Sequence, residues 1–68
     1  MREWLKEART AQRLTQKQMA DAIGVTEAYY SMIESGERQK KMDLSVAIRI
    51  ANTLGLSLDE VVAAEGTT

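Results

Sequence analysis

Three basic residues, Arg38, Lys40 and Lys41, lie within four positions of one another and supply charge that can bind phosphate groups. Short basic runs are also often ordinary solvated loops, so this cluster is only a candidate anion site. Catalytic chemistry has less to build on, because the chain has no His, no Cys and no glycine-rich phosphate loop. Its acids form no pair separable from ordinary helix surfaces and no cluster spaced for a metal ion. The residue types therefore predict a binding protein, not an enzyme, with no cofactor and no metal site.

Two short helices joined by a tight turn are predicted upstream of this basic cluster. Thr15 and Gln18 have the spacing of a capping box at the start of the first helix, and Thr26 can cap the second. Gly24 stands between the two helices, where a residue just past a helix end often takes a positive φ. A helix, a four-residue turn with Gly and a second helix have the shape of a helix-turn-helix.

The residues of this segment resemble those of the lambda-repressor-like family of bacterial and phage regulators, the xenobiotic-response-element type. The resemblance covers almost the whole chain, at Leu14-Thr15-Gln16, Ala20, Gly24, Thr26, Tyr29 to Glu34, Gly36, Ile50-Ala51, Leu54-Gly55-Leu56 and Ser57 to Glu60. It implies an all-α domain of five helices, in which helices 2 and 3 form the helix-turn-helix. It also implies that helix 3, the recognition helix, enters the major groove of DNA.

The apolar spacing agrees with one domain over residues 1–64, followed by a frayed tail at 65–68. The helices are expected at about 2–12, 16–23, 27–34 and 43–54, with a last helix after the capping box of Ser57 and Glu60. In the fourth helix the predicted core stripe consists of Leu44, Ala47, Ile48, Ala51 and Leu54. At 68 residues and without a disulfide, a monomer is expected to be only modestly stable.

The resemblance assigns base reading to the outward face of helix 3, at Glu27, Ala28 and Met32. Glu27 can accept a hydrogen bond from cytosine N4, or it can simply complement the helix dipole as a first-turn acid. Ala28 and Met32 can make apolar contact with a thymine methyl group.

Phosphate contacts are predicted around this face. Gln16 matches a family position that binds the DNA backbone, where helix N-terminal amides also favour an anion, although it can be a plain first-turn residue. Arg13 stands where the family commonly has Gly, and Tyr29 can donate its hydroxyl to a phosphate or simply pack. The full predicted set is Arg13, Gln16, Tyr29, Ser31, Arg38, Lys40 and Lys41.

Arg9 and Glu34 have a structural role in the resemblance, which pairs these positions between helices 1 and 3. Such a pair fixes how the recognition helix is presented, although desolvation offsets much of its Coulomb energy.

The net charge of −1 and the pI of about 5.3 are low for a nucleic-acid binder. Residues 1–41 contain eight Lys or Arg and six Asp or Glu, a net of +2, whereas residues 42–68 have a net of −3. The distribution is compatible with one face on DNA and the other turned away. It predicts few phosphate contacts per subunit and a modest, salt-sensitive affinity.

A homodimer is predicted from apolar residues that lie off the core stripe of helix 4. Val46 and Ile50, with Leu56, Leu58 and Val62 nearby in sequence, are expected to form an exposed patch that a symmetric dimer would cover. The dimer would place two recognition helices about 34 Å apart on one face of DNA. Alternatively, Val46 and Ile50 only widen the internal core.

These observations predict a sequence-specific transcriptional regulator, in the first place a repressor, that binds double-stranded DNA at a short inverted repeat. Its expected location is the cytoplasm, associated with the nucleoid, because no 18-residue apolar run or signal peptide is present. RNA polymerase or a regulatory protein is a possible further partner, and no membrane or small-molecule ligand is indicated. The alternative is a protein-interaction module of the same fold, antitoxin-like or anti-repressor, which the low pI would suit.

Overall fold

Five α-helices make up the described part of the chain, residues 2–36 and 43–66, in the computed structural model. They are α1 (Glu3–Ala11), α2 (Gln16–Ile23), α3 (Glu27–Ser35), α4 (Leu44–Leu54) and α5 (Leu58–Gly66). The predicted all-α, five-helix fold is confirmed. Among the described residues, no helix is long and apolar enough to cross a membrane.

Local capping residues set most of the helix ends. Thr15 and Gln18 form the predicted capping box at the start of α2, and Thr26 accepts a hydrogen bond from the Tyr29 backbone N–H at the start of α3. Gly24 ends α2 in the left-handed conformation, with a φ of 78°. The predicted helix-turn-helix boundaries therefore follow from side chains only three residues away.

α1 also ends at a residue in the left-handed conformation, as α2 does, but this residue is not a glycine. Arg13 takes a φ of 59°, while the N–H groups of Arg13 and Leu14 donate to the carbonyls of Thr10 and Arg9. This is the Schellman arrangement, in which the left-handed residue is usually Gly. An L side chain there costs on the order of 1 kcal/mol.

The main core lies between α1, α2, α3 and α4. Its most deeply buried members come from each of these helices: Leu5, Met19, Ile23, Tyr30, Ile33 and Ile50. A smaller apolar cluster joins α4 to α5 through Ala47, Ala51 and Val61, with Trp4 and Leu56 packed against it.

The predicted inward face of α4 is confirmed at Ala47, Ala51 and Leu54 but was wrong at its other two members. Val46 and Ile50, expected on the surface, are 8% and 0% exposed, whereas Leu44 and Ile48, expected in the core, are 62% and 42% exposed. Apolar residues with helical spacing flank the buried Ala47–Ala51 row on both sides, Val46 and Ile50 on one side and Leu44 and Ile48 on the other. Periodicity alone does not select between them, so packing against the rest of the core decides.

The dimer patch predicted from the sequence is therefore not present as such. Val46 and Ile50 belong to the core, as in the alternative interpretation, and Leu56 is half-buried against both core clusters. Leu58 and Val62 are exposed.

The predicted frayed tail also begins too early. α5 extends to Gly66, and the Glu65 carboxylate accepts hydrogen bonds from Arg2 and Trp4. The last turn of α5 is thus tied to Arg2 and Trp4 at the start of α1. Residues 67–68 lie outside the described part of the chain.

Candidate nucleic-acid interface

The two faces of α3 differ sharply in exposure. Tyr30, Ile33 and Glu34 are buried, while Glu27 and Ala28 on the opposite side are exposed. Met32, one turn after Ala28, is partly exposed. Because residues four apart on a helix are neighbours, Ala28 and Met32 form an apolar strip beside the Glu27 carboxylate. Such a strip can contact thymine methyl groups, and the carboxylate can accept a hydrogen bond from cytosine.

A buried ion pair supports the inner face of α3. Arg9 of α1 donates through Nε to Glu34 Oε2 at 2.9 Å and through Nη2 to Oε1 at 3.0 Å. The Arg9 guanidinium also donates to the Leu14 carbonyl at 2.7 Å, just before α2. One side chain therefore holds α1, the start of the helix-turn-helix and the recognition helix together.

Burial and pairing act in opposite directions on the Glu34 carboxyl. Burial alone would raise the pKa of Glu34, but the hydrogen bonds and charge of Arg9, with contributions from Tyr30 and Gln16, together outweigh it and lower this pKa below its usual range. The hydrogen bond to Glu34 also raises the pKa of Arg9. The pair is therefore ionised at neutral pH.

Tyr30 lies beside this pair. Burial, with the neighbouring Glu34 carboxylate, raises the pKa of the Tyr30 phenol well above its usual range. Its hydroxyl is buried and makes no hydrogen bond to the described residues. The ring thus stays neutral and serves the core of α3.

Gln16 connects the buried pair to the surface. It is the first residue of α2, is partly exposed, and its Nε2 lies 3.4 Å from Glu34 Oε1. The start of α2 also presents backbone N–H groups and the positive end of the helix dipole. This arrangement is suited to an anion placed between α2 and α3.

The other predicted phosphate contacts differ in what surrounds them. Arg13 is exposed, Ser31 is partly exposed, and Tyr29 is half-buried against the core. Their contacts with DNA stay predictions. Arg38, Lys40 and Lys41 lie outside the described residues.

Two arginines with structural roles were not found from the sequence. Arg49 of α4 donates to the Ile23 carbonyl at 3.1 Å, at the end of α2, and Arg2 donates to carbonyls at the end of α3. Cations near helix C-termini are favourable. No sequence pattern signalled these contacts, because each joins residues at least 26 positions apart.

A family model described as helix-turn-helix matches residues 5–61. The chain belongs to this family. Its lambda-repressor-like membership, predicted from the sequence, is confirmed, and the family is one of DNA-binding transcriptional regulators, not of enzymes.

Three proteins of Bacillus subtilis (strain 168) are similar to this helix-turn-helix chain. The uncharacterized HTH-type transcriptional regulator YqaE is 40% identical over 90% of the chain, and the similarly named YqaF is 42% identical over 81%. The SPbeta prophage-derived uncharacterized HTH-type transcriptional regulator YonR is 37% identical over 84%. The chain spans about half the length of YqaE and YonR, 51% in each case, and 70% of YqaF. No solved structure matches the chain significantly.

Proposed function

We propose that this helix-turn-helix protein is a sequence-specific transcriptional repressor that places α3 in the major groove of DNA. The observation that carries the proposal is the support of α3, whose inner face is fixed by Arg9 and Glu34 while Glu27 and Ala28 face outward. A rigid helix with one exposed face can read base edges without a large ordering cost on binding.

Base reading is assigned to Glu27, Ala28 and Met32, which lie on this outward face. Glu27 selects cytosine by accepting from N4, and the apolar pair selects thymine through its methyl group. Removing either type of contact is expected to change base preference by about 1–3 kcal/mol at the position concerned.

Phosphate contacts position the protein on the duplex. Gln16 and the start of α2 bind one phosphate, with Arg13, Tyr29 and Ser31 around it. The basic residues Arg38, Lys40 and Lys41 follow α3 in the sequence and contact the adjacent backbone. Lys40→Ala is therefore expected to weaken binding to all duplexes and to lower the salt slope by about one contact.

A homodimer on an inverted repeat is part of this proposal. The exposed apolar residues are paired one turn apart on each of the last two helices, Leu44 with Ile48 and Leu58 with Val62. These residues replace Val46 and Ile50 as the interface candidates. Burying them against a second copy would remove apolar surface from water and place two α3 helices about 34 Å apart. Such a repressor would act in the cytoplasm, at the nucleoid.

The experiment is selection of bound duplexes from a random DNA library at about physiological salt. An enriched inverted repeat with half-sites one helical turn apart would support both specificity and the dimer. Met32→Ala, selected in parallel, should enrich a different base at its own position, while Lys6→Ala, on the exposed surface of α1, is the control. No enrichment by folded protein would contradict the proposal.

The acidic surface favours one other role, recognition of a protein. Glu27 is exposed within the outward face of α3, and Asp59 and Glu60 are exposed at the start of α5. An antitoxin-like or anti-repressor module could use the first surface, and RNA polymerase could contact the second. Replacement of Arg38, Lys40 and Lys41 together by Ala without loss of activity would favour the protein-binding role.

A further inference from the structure

The C-terminal end of α3 is capped by a residue from the far N-terminus. A helix leaves its last four carbonyls without partners inside the helix. Gly36 N–H donates to Met32 O at 2.9 Å, and Arg2 donates hydrogen bonds to the next two carbonyls. Its backbone N–H donates to Glu34 O at 2.8 Å, and its Nη1 donates to Ile33 O. The positive charge also suits the negative end of the α3 dipole.

The same guanidinium binds α5. Arg2 Nε is 2.9 Å from both carboxylate oxygens of Glu65, and the Trp4 indole N–H donates to Glu65 Oε2 at 3.1 Å. The Arg2 and Glu65 side chains are only 5% and 23% exposed. Water screens this pair less than an ordinary surface pair, and its geometry is correspondingly better defined.

Glu65 is unfavourably placed for its own helix. It lies in the last turn of α5, where a negative charge opposes the helix dipole, whereas Asp59 and Glu60 in the first turn complement it. A residue that conflicts with local structure is expected to have a compensating tertiary role. Arg2 and Trp4 supply that compensation, so the position of Glu65 is explained by its link across to α3.

We propose that Arg2 and Glu65 are positioning residues that set the orientation of the C-terminal half of α3 relative to α5. The consequence for DNA rests on the proposed function, in which α3 reads bases and α5 contributes to the dimer. In a symmetric dimer, the angle between the two α3 helices depends on how each α3 is held against its own α5. A small change in the angle between α3 and α5 is therefore repeated in both subunits and shifts α3 in both half-sites.

The DNA test uses Arg2→Gln, with Lys6→Gln as a control that removes the same charge from the exposed face of α1. At a temperature where circular dichroism shows both variants folded, Arg2→Gln should bind the selected duplex about tenfold more weakly. Arg2→Gln should weaken base preference at the DNA position that Met32→Ala alters. It should leave the preference unchanged at the position that Glu27→Ala alters, because Met32 is nearer the capped end of α3. Unchanged preference at every position would overturn the proposal.

An exchanged pair separates positioning from simple ion pairing. Arg2→Glu combined with Glu65→Arg restores opposite charges, but a carboxylate at position 2 cannot donate to the Ile33 carbonyl. We expect the exchanged variant to bind as weakly as Arg2→Gln. Full recovery of affinity would show that only the ion pair matters and would overturn the assignment.

A measurement without DNA keeps the inference separate from the proposed function. Residual dipolar couplings of backbone amides report the angle between helix axes in solution. Arg2→Gln should change the angle between α3 and α5 and leave that between α4 and α5 as in the wild type. If the wild type selects no duplex, the proposed function fails while these couplings still decide the positioning role. Couplings that fit the wild-type arrangement would overturn it.

Discussion

The contact between α1 and α3 and the contact between α4 and α5 are of different kinds. Beneath α3, Arg9 and Glu34 form a directional, bidentate ion pair that is almost wholly buried. Between α4 and α5, small apolar residues, Ala47, Ala51 and Val61, make the contact. Hydrogen bonds fix direction, whereas apolar burial mainly fixes proximity. The helix assigned to base reading thus has the more directional support.

The difference also affects the outer surfaces of the two regions. The outward face of α3 combines an acid, an alanine and a partly exposed methionine, while α4 and α5 expose larger aliphatic side chains. The residues on the α3 face suit contact with base edges, whereas the aliphatic residues exposed on α4 and α5 suit contact with another apolar surface. One small domain can in this way divide DNA reading and self-association between its two halves.

The largest expected effect tests the ion pair. Arg9→Ala leaves the buried Glu34 carboxylate without its main partner and should destabilise the protein by about 3–5 kcal/mol. Chemical denaturation would measure the loss, and DNA affinity should fall with it. Lys6→Ala, on the exposed side of α1, should change stability by less than about 0.5 kcal/mol. An unchanged midpoint for Arg9→Ala would show that α3 is supported by apolar contacts, as at the contact between α4 and α5.

The next prediction concerns the two apolar stripes of α4. Ile50→Ala creates a cavity in the core and should cost about 2–5 kcal/mol, whereas Ile48→Ala removes an exposed side chain and should cost about 0.5 kcal/mol or less. Thermal unfolding at low protein concentration would compare them. Equal losses would contradict the assignment of these two residues to opposite sides of the helix surface.

The pH dependence should distinguish the ionic support of α3 from apolar support. The pKa of Glu34 is lowered in the folded state, so its stabilising contribution is present above the unfolded pKa, about 4.3. This contribution is lost as the pH falls through the folded value. The stability advantage of the wild type over Glu34→Gln should therefore be largest near neutral pH and shrink below about pH 4. A constant advantage across this range would contradict the assigned ionisation.

The smallest effect is expected at the end of α1. Arg13→Gly relieves the left-handed strain and should stabilise the protein by at most about 1 kcal/mol, since glycine also raises the entropy of the unfolded chain. The same change should weaken DNA binding if Arg13 contacts phosphate. Arg13→Ala, which keeps the strain and removes the charge, is the matched control. Tighter DNA binding by Arg13→Gly would remove Arg13 from the proposed contacts.

Local residues made much of this fold predictable. Thr15, Thr26 and Ser57 start helices through bonds to groups three positions away, and Gly24 and Gly55 end them at positive φ. These interactions depend on short spacings that can be read along the chain. The outward face of α3 followed from the same local reasoning together with the family resemblance.

Long-range contacts were predicted less well. The tail was expected from residue 65, but residues 65–66 belong to α5, because Arg2 and Trp4, more than 60 positions away, bind Glu65. The inward face of α4 was wrong at Leu44 and Ile48, because Val46 and Ile50 on the other side of the buried row are equally apolar and equally spaced. In both cases the deciding partner is distant in sequence.

The amino-acid sequence by itself determined the number of helices, their approximate limits and the family, because caps, glycines and apolar periods act over three or four residues. Only the tertiary structure decided that Ile50 faces inward and Ile48 outward, and that Arg2 joins the end of α3 to Glu65. The physical reason is range. Helix limits depend on neighbouring hydrogen bonds, whereas the choice of buried face and of ion-pair partner depends on which surfaces the other helices leave to be covered.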